Sequence, residues 1–303
     1  MANVITILSS PRKKGYTAGL LDCAIRGLES FGVEIIKINL PEYVFQPCAG
    51  CFSCIGDEKH RCVLKDDMGN KDGGLVPLLL ETNGMIIADP VYGWNMSARA
   101  HVFFERLYPQ LWSGKLNGMP FASISSATNQ GMMREATAQI AKTAFTYKFR
   151  YIDGISAHAA DYASAQKQAH YAGQKLAVAA LEDEKKRVPF TDAQAFALYA
   201  DSLWPPLENY IDNLTSGSGN WRNSLVYRAL SEDVFSSEDG KKNLEKASDI
   251  LRRLLSDRKS DNDADCMEAI ARLSAHWTEA TWHEYVKKIV EAKKPKTYRP
   301  VGD

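Results

Sequence analysis

Residues 4–30 decide the fold. They comprise the run VITIL over 4–8, the loop SSPRKKGYT over 9–17 and the pattern TAGLLDCAIRGLES over 17–30. A continuous apolar run of five residues is typical of a strand that is buried on both faces. The third stretch has apolar residues at helical spacing. A strand, a short loop and a helix in this order predict the opening unit of a parallel sheet that is covered by helices.

The same alternation continues to about residue 185. Four further strands are predicted at 33–40, 84–91, 119–125 and 151–157. Helices are predicted at 72–82, 97–113, 131–147 and 161–182. With right-handed crossovers, this order predicts an α/β fold, a flavodoxin-like doubly wound five-stranded parallel sheet with strand order 2-1-3-4-5. Its ligand is then expected at the switch point between strands 1 and 3, over residues 9–17 and 90–97.

The texture of the sequence changes after Val188 and Pro189. Residues 190–303 have few β-branched runs and are rich in Ala, Leu, Glu and Lys. Helices are predicted there at 191–213, 221–231, 237–256, 263–273 and 277–293. We therefore predict two domains, a flavodoxin-like domain over 1–187 and an all-helical extension over 188–303. A substrate lid, a dimer arm and a packed appendage remain open as roles for the extension.

Composition excludes several classes of function. The 303 residues carry 37 basic and 37 acidic side chains, so the chain lacks the positive charge that nucleic-acid binding requires. No stretch reaches the roughly 18 consecutive apolar residues of a membrane helix. The apolar run near the N-terminus has no basic residue before it, which favours a strand over an export signal. Six cysteines are too few for a disulfide scaffold, and we expect a cytoplasmic protein that binds neither nucleic acid nor membranes.

The loop after the first strand has the features of a phosphate site. It ends at a helix N-terminus, where unbonded N–H groups and the helix dipole favour an anion. Ser10 and Thr17 offer hydroxyls, Arg12 offers a planar guanidinium, and Gly15 is expected to allow a tight turn. Neither G-x-G-x-x-G nor G-x-x-x-x-G-K-[ST] is present. The alternative is a basic surface loop in which Thr17 caps the helix.

The loop after the third strand carries two large aromatic side chains, Tyr92 and Trp94. Their rings are placed to pack against a flat conjugated ring, or else to cover the edge of the sheet. Ser97 is expected to cap the helix that follows. Since this loop and the phosphate loop are predicted neighbours, a flat ring that bears a phosphate suits both. The pair of loops therefore points to flavin mononucleotide (FMN).

Four cysteines form the pattern C-x2-C-x2-C-x7-C, at Cys48, Cys51, Cys54 and Cys62. Three cysteines within seven residues, followed by a fourth, are typical of a [4Fe–4S] cluster. A structural zinc ion more often uses two separated pairs of ligands. The cluster, unmetallated thiols or a redox pair, and zinc all remain open. Cys23 is expected in the core.

Four segments together resemble a known family. Residues 9–17 are similar to G-S-P-R-x-x-G-N-T, and residues 48–68 resemble a cysteine segment that ends in D-D-M. Residues 90–92 match the end of S-P-V-Y, and residues 104–106 are close to F-x-D-R with Glu for Asp. The combination resembles the NAD(P)H-dependent FMN reductases of flavodoxin-like fold, and among them the iron–sulfur flavoproteins. The likeness spans about residues 3–180.

Besides Glu105, three positions depart from these motifs. Ser9 stands where the family has glycine, Tyr16 where it has asparagine, and Asp89 where it has serine. The change at Tyr16 affects an expected phosphate contact.

The resemblance implies which residues hold the cofactors. The phosphate of FMN is expected on Ser10, Arg12, Tyr16 and Thr17. The ring is expected along Pro90, Val91, Tyr92, Gly93, Trp94 and Asn95 on one side and Ser126, Ala127, Thr128 and Gly131 on the other. The metal ligands would be the four cysteines. No catalytic acid or base is assigned, because the flavin carries the chemistry.

The resemblance also implies an oxidoreductase. Electrons would come from NAD(P)H or an iron–sulfur donor, with ferredoxin as a candidate partner, and pass to a quinone, a flavin or oxygen. A homodimer or homotetramer is expected. Two alternatives stay open, a non-enzymatic electron carrier like flavodoxin and a redox-sensing regulatory protein.

Overall fold

The computed structural model describes residues 1–69, 74–256 and 264–293. These residues form two compact units, one over residues 1–189 and the other over 190–256 and 264–293. The first unit contains the sheet, and the second is helical.

Five parallel strands form the sheet of the first unit. They are β1 Asn3–Leu8, β2 Glu34–Asn39, β3 Gly84–Pro90, β4 Pro120–Ala127 and β5 Arg150–His158. Their order is β2-β1-β3-β4-β5, and every neighbouring pair is parallel. The predicted flavodoxin-like fold is therefore confirmed. All residues of β3 and β4 are buried, as expected of central strands with helices on both faces.

Seven helices of the described chain belong to the first unit with this sheet. They are α1 Tyr16–Glu29, α2 Ser53–Gly56, α3 Leu75–Leu80, α4 Ala98–Glu105, α5 Tyr108–Ser113, α6 Met133–Thr146 and α7 Tyr162–Lys185. Helices α1 and α7 approach each other closely at two glycines. A Cβ at Gly27 would lie 2.1 Å from the His170 carbonyl oxygen, and one at Gly173 would lie 2.0 Å from that of Ala24. Side chains at either position would force the helices apart.

The helix predicted over 97–113 is two helices. The chain leaves α4 after Glu105 and starts α5 at Tyr108, with Pro109 in the first turn of α5. Proline lacks an N–H and suits a first turn, so it favours a new helix here over continuation of the old one. The break places Arg106 between the two helices. Helix α3 begins at Leu75, later than predicted, and residues 72–73 of that prediction lie outside the described residues.

The second unit is helical, as predicted, but its boundaries differ. Its helices are α8 Asp192–Leu198, α9 Pro206–Leu214, α10 Leu225–Ser231, α11 Glu238–Ser256, α12 Ala264–Thr281 and α13 Lys287–Lys293. Pro205 and Pro206 divide the predicted helix 191–213. Residues 274–276, where a break between two helices was predicted, hold no glycine or proline, and α12 continues through them. A π-helical turn, Trp282–Val286, then connects α12 to α13. Among the described helices, none is both long and apolar enough to span a membrane.

Candidate functional site

A cavity of about 80 Å³ lies where the loops after β1, β3 and β4 meet. We call it the strand-end cavity. It is lined by Ser10, Arg12, Gly15, Tyr16, Thr17, Pro90, Val91, Tyr92, Ser126, Ala127 and Thr128. The structure thus brings together most of the residues that the sequence grouped for a cofactor. Four of the grouped residues, Gly93, Trp94, Asn95 and Gly131, do not line this cavity.

The N-terminus of α1 forms one wall of the strand-end cavity. Gly15 is its N-cap, and no side chain caps the helix, so the first-turn N–H groups can bind a ligand. Thr17 is not the cap, because it lies inside α1 with its hydroxyl 2.6 Å from that of Ser126. Gly15 has an ordinary φ of −86°. Its small size matters instead, since a Cβ would lie 3.3 Å from the Cβ of Arg12.

A buried carboxylate, Asp89, joins two loops beside this cavity. The Ser9 hydroxyl donates a hydrogen bond to it. Ser97 donates two, from its backbone N–H at 2.7 Å and from its hydroxyl at 2.6 Å. Burial raises the pKa of Asp89, and the serine hydrogen bonds oppose that shift. Ser97 also caps α4 as predicted, because its hydroxyl accepts the N–H of Ala100.

Sequence reasoning noted Ser9 and Asp89 as two separate departures from the family motifs and missed their contact. Leu8 pairs with Ala88 in the register between β1 and β3. Ser9 and Asp89, which directly follow Leu8 and Ala88, therefore lie side by side. Two departures at the ends of neighbouring strands were the signal that could have revealed the contact.

The loop after β3 presents exposed aromatic rings. Tyr92 and Asn95 exchange two backbone hydrogen bonds of 3.1 Å, and Gly93 and Trp94 between them both have positive φ. Tyr92 is 44% exposed and Trp94 is 58% exposed, so neither ring is fully packed against the edge of the sheet. Positive φ is costly for tryptophan. Tyr16, also exposed, packs edge-on against Tyr162 at 5.0 Å.

A second cavity, of about 300 Å³, is lined by all four cysteines of the motif. We call it the cysteine cavity. Burial and neighbouring thiols raise the pKa of Cys48, and they raise that of Cys54 to about 12. Each thiolate opposes the ionisation of the next, so four thiolates here require positive charge. Cys23 is buried in α1, as expected.

The four thiols of the cysteine cavity are of the ligand type that both a zinc ion and an iron–sulfur cluster use. In the described residues, no three His, Cys, Asp or Glu side chains are grouped closely enough to hold one metal ion. One zinc ion needs all its thiolates within about 2.3 Å of a single point. A [4Fe–4S] cluster instead binds one cysteine at each of four irons. Four thiols around one cavity are the ligands that such a cluster uses.

The junction of α4 and α5 holds the cysteine segment. The Glu105 carboxylate accepts the backbone N–H of Cys48 at 3.3 Å. Arg106 donates to the sulfur of Cys62 at 3.6 Å and forms an ion pair with Asp66. Burial opposes the ionisation of Asp66, but the hydrogen bonds and positive charge of Arg106, together with the backbone N–H groups of Gln46 and Met68, outweigh burial and hold the pKa of Asp66 below the usual value.

The fold and the two cavities define a flavodoxin-like protein with one cavity at the ends of its strands and a second cavity lined by cysteines. Residues 2–168 match a family described as NADPH-dependent FMN reductase. The match covers more than half of the chain, so the chain belongs to this family. The predicted family is confirmed, and membership supports FMN as the cofactor.

Individual relatives point the same way. An iron-sulfur flavoprotein of Archaeoglobus fulgidus is 36% identical over 105 residues, which are 35% of this chain and 45% of that protein. An iron-sulfur flavoprotein of Methanocaldococcus jannaschii is 27% identical over 136 residues, 45% of this chain and 67% of that one. The chain thus matches less than half of the first relative. A solved flavone reductase has 16% identity and a TM-score of 0.47, with 63% of this chain and 67% of that chain covered. Because a TM-score below 0.5 carries no argument, we assign the fold from the observed strand order alone.

Proposed function

We propose that the chain is an FMN-dependent oxidoreductase. It takes electrons from NAD(P)H or an iron–sulfur donor and passes them to a small acceptor such as a quinone, a flavin or oxygen. The observation that carries this proposal is the strand-end cavity, built at the switch point of the sheet in a chain of the FMN reductase family. A cytoplasmic homodimer or homotetramer is part of the proposal.

The strand-end cavity suits the phosphate end of FMN. Whole cofactor sites span roughly 300–1,000 Å³, so a cavity of about 80 Å³ encloses only part of such a molecule. Its walls offer the guanidinium of Arg12, the hydroxyls of Ser10 and Thr17 and the N-terminus of α1. These groups favour an anion. We assign the ring to the exposed side chains of Tyr92 and Trp94 in the neighbouring loop.

The protein binds and orients, while bound FMN supplies hydride and electron transfer. We assign no side chain as a catalytic acid or base. Asp89 is fully buried and does not line the cavity, so we assign it to holding the two loops together. Gly93, Asn95 and Gly131 stay predicted neighbours of the ring.

For the cysteine cavity we propose a [4Fe–4S] cluster held by Cys48, Cys51, Cys54 and Cys62. The spacing of the cysteines and the placement of all four thiols around one cavity support this assignment. The relatives named iron-sulfur flavoprotein support it as well. Such a cluster supplies one-electron transfer, which favours a ferredoxin as electron donor over direct reduction by a nicotinamide.

One sample tests both assignments. The protein is purified without oxygen, its absorption spectrum is recorded, and iron and acid-labile sulfide are assayed. We expect flavin bands and about four irons per chain. Flavin without iron would refute the cluster, and zinc found by metal analysis of the same sample would support the single-ion alternative. No flavin after addition of FMN would refute the whole proposal.

A second measurement separates an enzyme from a carrier. The FMN-loaded protein is mixed with a quinone and with NADH, NADPH or reduced ferredoxin. We expect sustained turnover with at least one donor. A pure electron carrier would show almost none.

A further inference from the structure

Arg106 is a buried cation at the wall of the cysteine cavity. It is only 2% exposed and lies in the break between α4 and α5. Its Nη2 donates to the sulfur of Cys62 at 3.6 Å. The guanidinium also binds Asp66 through two bonds of 2.6 and 3.0 Å, and Nη1 donates to the carbonyl of Gln46 at 2.6 Å. Every one of these contacts lies in or beside the cysteine segment.

The remaining nitrogen of this side chain is unused. Nε of Arg106 is buried and has no hydrogen-bond partner in the described part of the chain. Arginine stays protonated in proteins, so the Nε–H cannot be removed by titration. A buried donor without an acceptor costs free energy. This donor belongs to a side chain that lines the cavity, where a bound anionic group would offer acceptors.

Two motifs without an assigned role meet at this point. Asp66 belongs to the D-D-M sequence after the cysteines, and Arg106 ends the F-E-R sequence of residues 104–106. They are 40 positions apart and form one ion pair beside the fourth cysteine. Glu105 accepts the N–H of Cys48 next to them. The end of α4 therefore holds the first and the last cysteine of the motif.

We infer that Arg106 is a positioning residue, which fixes the sulfur of Cys62 and raises the reduction potential of the group that the four thiolates hold. The inference rests on the proposed [4Fe–4S] assignment. Each added electron makes a thiolate-bound cluster more negative, and a fixed cation nearby stabilises the more negative form. Hydrogen bonds to ligand sulfurs act in the same direction. Because Arg106 is buried, solvent and salt screen its charge weakly.

The test is the midpoint potential of the anaerobically reconstituted protein, followed by electron paramagnetic resonance during a redox titration. In Arg106→Gln with Asp66→Asn, the cation and its carboxylate are removed together, so no buried charge is left unpaired. We expect a lower potential in this variant, because the lost cation contacts the sulfur of Cys62 directly, whereas the lost carboxylate contacts the cation. Arg106→Lys keeps the positive charge but loses the planar set of N–H donors of the guanidinium. Its potential should therefore lie between those of the double variant and the wild type.

Arg61→Gln is the matched control. Arg61 is next to Cys62 in the sequence, but its side chain is 66% exposed and pairs with Asp57. Arg61→Gln removes one positive charge but should leave the potential unchanged, because water screens that charge.

Three results would overturn the inference. The double variant could have the wild-type potential, Arg61→Gln could shift the potential equally, or Arg106→Lys could fall as far as the double variant. A wild-type protein that holds no iron and sulfide after reconstitution refutes the cluster assignment and this inference together. That failure is visible before any variant is compared, so the two failures are distinguishable.

Discussion

Each cavity of the first unit has a carboxylate that holds its walls together, and the pKa values of the two are shifted in opposite directions. Asp89, beside the strand-end cavity, accepts hydrogen bonds from Ser9 and Ser97, and burial raises its pKa. Asp66, beside the cysteine cavity, is bound by Arg106 and by the backbone N–H groups of Gln46 and Met68, which together outweigh burial and lower its pKa. The difference lies in where each cavity keeps its positive charge.

The strand-end cavity has its cation at the surface, since Arg12 is exposed. The cysteine cavity has its cation inside, since Arg106 is buried. A surface cation attracts a charged cofactor from solution but is screened by salt. A buried cation acts strongly on one fixed group. Its removal leaves the partner charge buried and unpaired, which destabilises the protein. We therefore expect the cysteine cavity to be the more sensitive of the two to single substitutions.

The largest effect is expected from Cys51→Ser. It removes one of the four proposed ligands, so iron should fall from about four per chain to well below one. FMN content should stay at the wild-type level, because Cys51 does not line the strand-end cavity. Iron, sulfide and flavin are assayed on one anaerobic sample. Cys266→Ser, in the second unit, is the control and should keep its iron. Joint loss of iron and flavin would show that the two cavities are not independent.

Much of the fold was predictable, because each buried parallel strand corresponds to a short apolar or alternating stretch of the sequence. The run at 4–8, the alternation at 33–40 and the runs at 84–91 and 119–125 each predicted a strand that the structure contains. Their order follows from connection rules rather than from any single residue. The break at Arg106 and the join between α12 and α13 were missed, because helical spacing alone does not show where one helix ends.

Less of the two sites was predictable. The loops after β1, β3 and β4 were expected to meet, and they do. The bonds of Ser9 to Asp89 and of Arg106 to Asp66 were not expected, since they join residues 80 and 40 positions apart. Periodicity and spacing describe neighbours along the chain, and such contacts depend on strand register and on a helix break.

Arg12→Ala should weaken FMN binding without changing iron content. A hydrogen bond to a charged group contributes about 1.5–3 kcal/mol when well shielded, and exposure reduces this to about 0.2–1 kcal/mol. That range predicts a dissociation constant about 1.5- to 5-fold higher. Fluorescence titration of FMN at low and high salt measures it, and the difference should shrink at high salt. Lys14→Ala is the control, since Lys14 is exposed on the same loop and does not line the cavity. Equal losses in both variants would contradict a specific contact.

Ser9→Gly and Asp89→Ser restore the residues that the family motifs have. Each change alone should lower the free energy of unfolding by about 1–3 kcal/mol, because each removes a partner from a buried polar group. The double variant should lose less than the sum of the two, with a coupling of about 1 kcal/mol. Urea denaturation of the four proteins measures the cycle. Strict additivity would show that the Ser9 bond to Asp89 contributes nothing.

The smallest expected effect concerns the pH dependence of the free energy of unfolding, which should differ between variants of Asp89 and of a surface carboxylate. Burial raises the pKa of Asp89 above its ordinary value of 3.8, so the folded state holds this proton more tightly than the unfolded state does. The contribution of Asp89 to stability is full below the unfolded pKa and is lost as pH rises through the folded pKa. Asp89→Asn cannot titrate. Its free energy of unfolding, relative to that of the wild type, should therefore fall as pH is lowered from 7 to 4.5.

Asp57→Asn is the matched control for that measurement. Hydrogen bonds from Arg61 lower the pKa of Asp57 to about 2, so its contribution to stability is present above the unfolded pKa and is lost only below it. Between pH 7 and 4.5 the difference between this variant and the wild type should stay constant. Urea denaturation at both pH values gives the two differences. A constant difference for Asp89→Asn would mean that the serine hydrogen bonds cancel the effect of burial. The two cavities would then differ in where their cations lie but not in the state of their carboxylates.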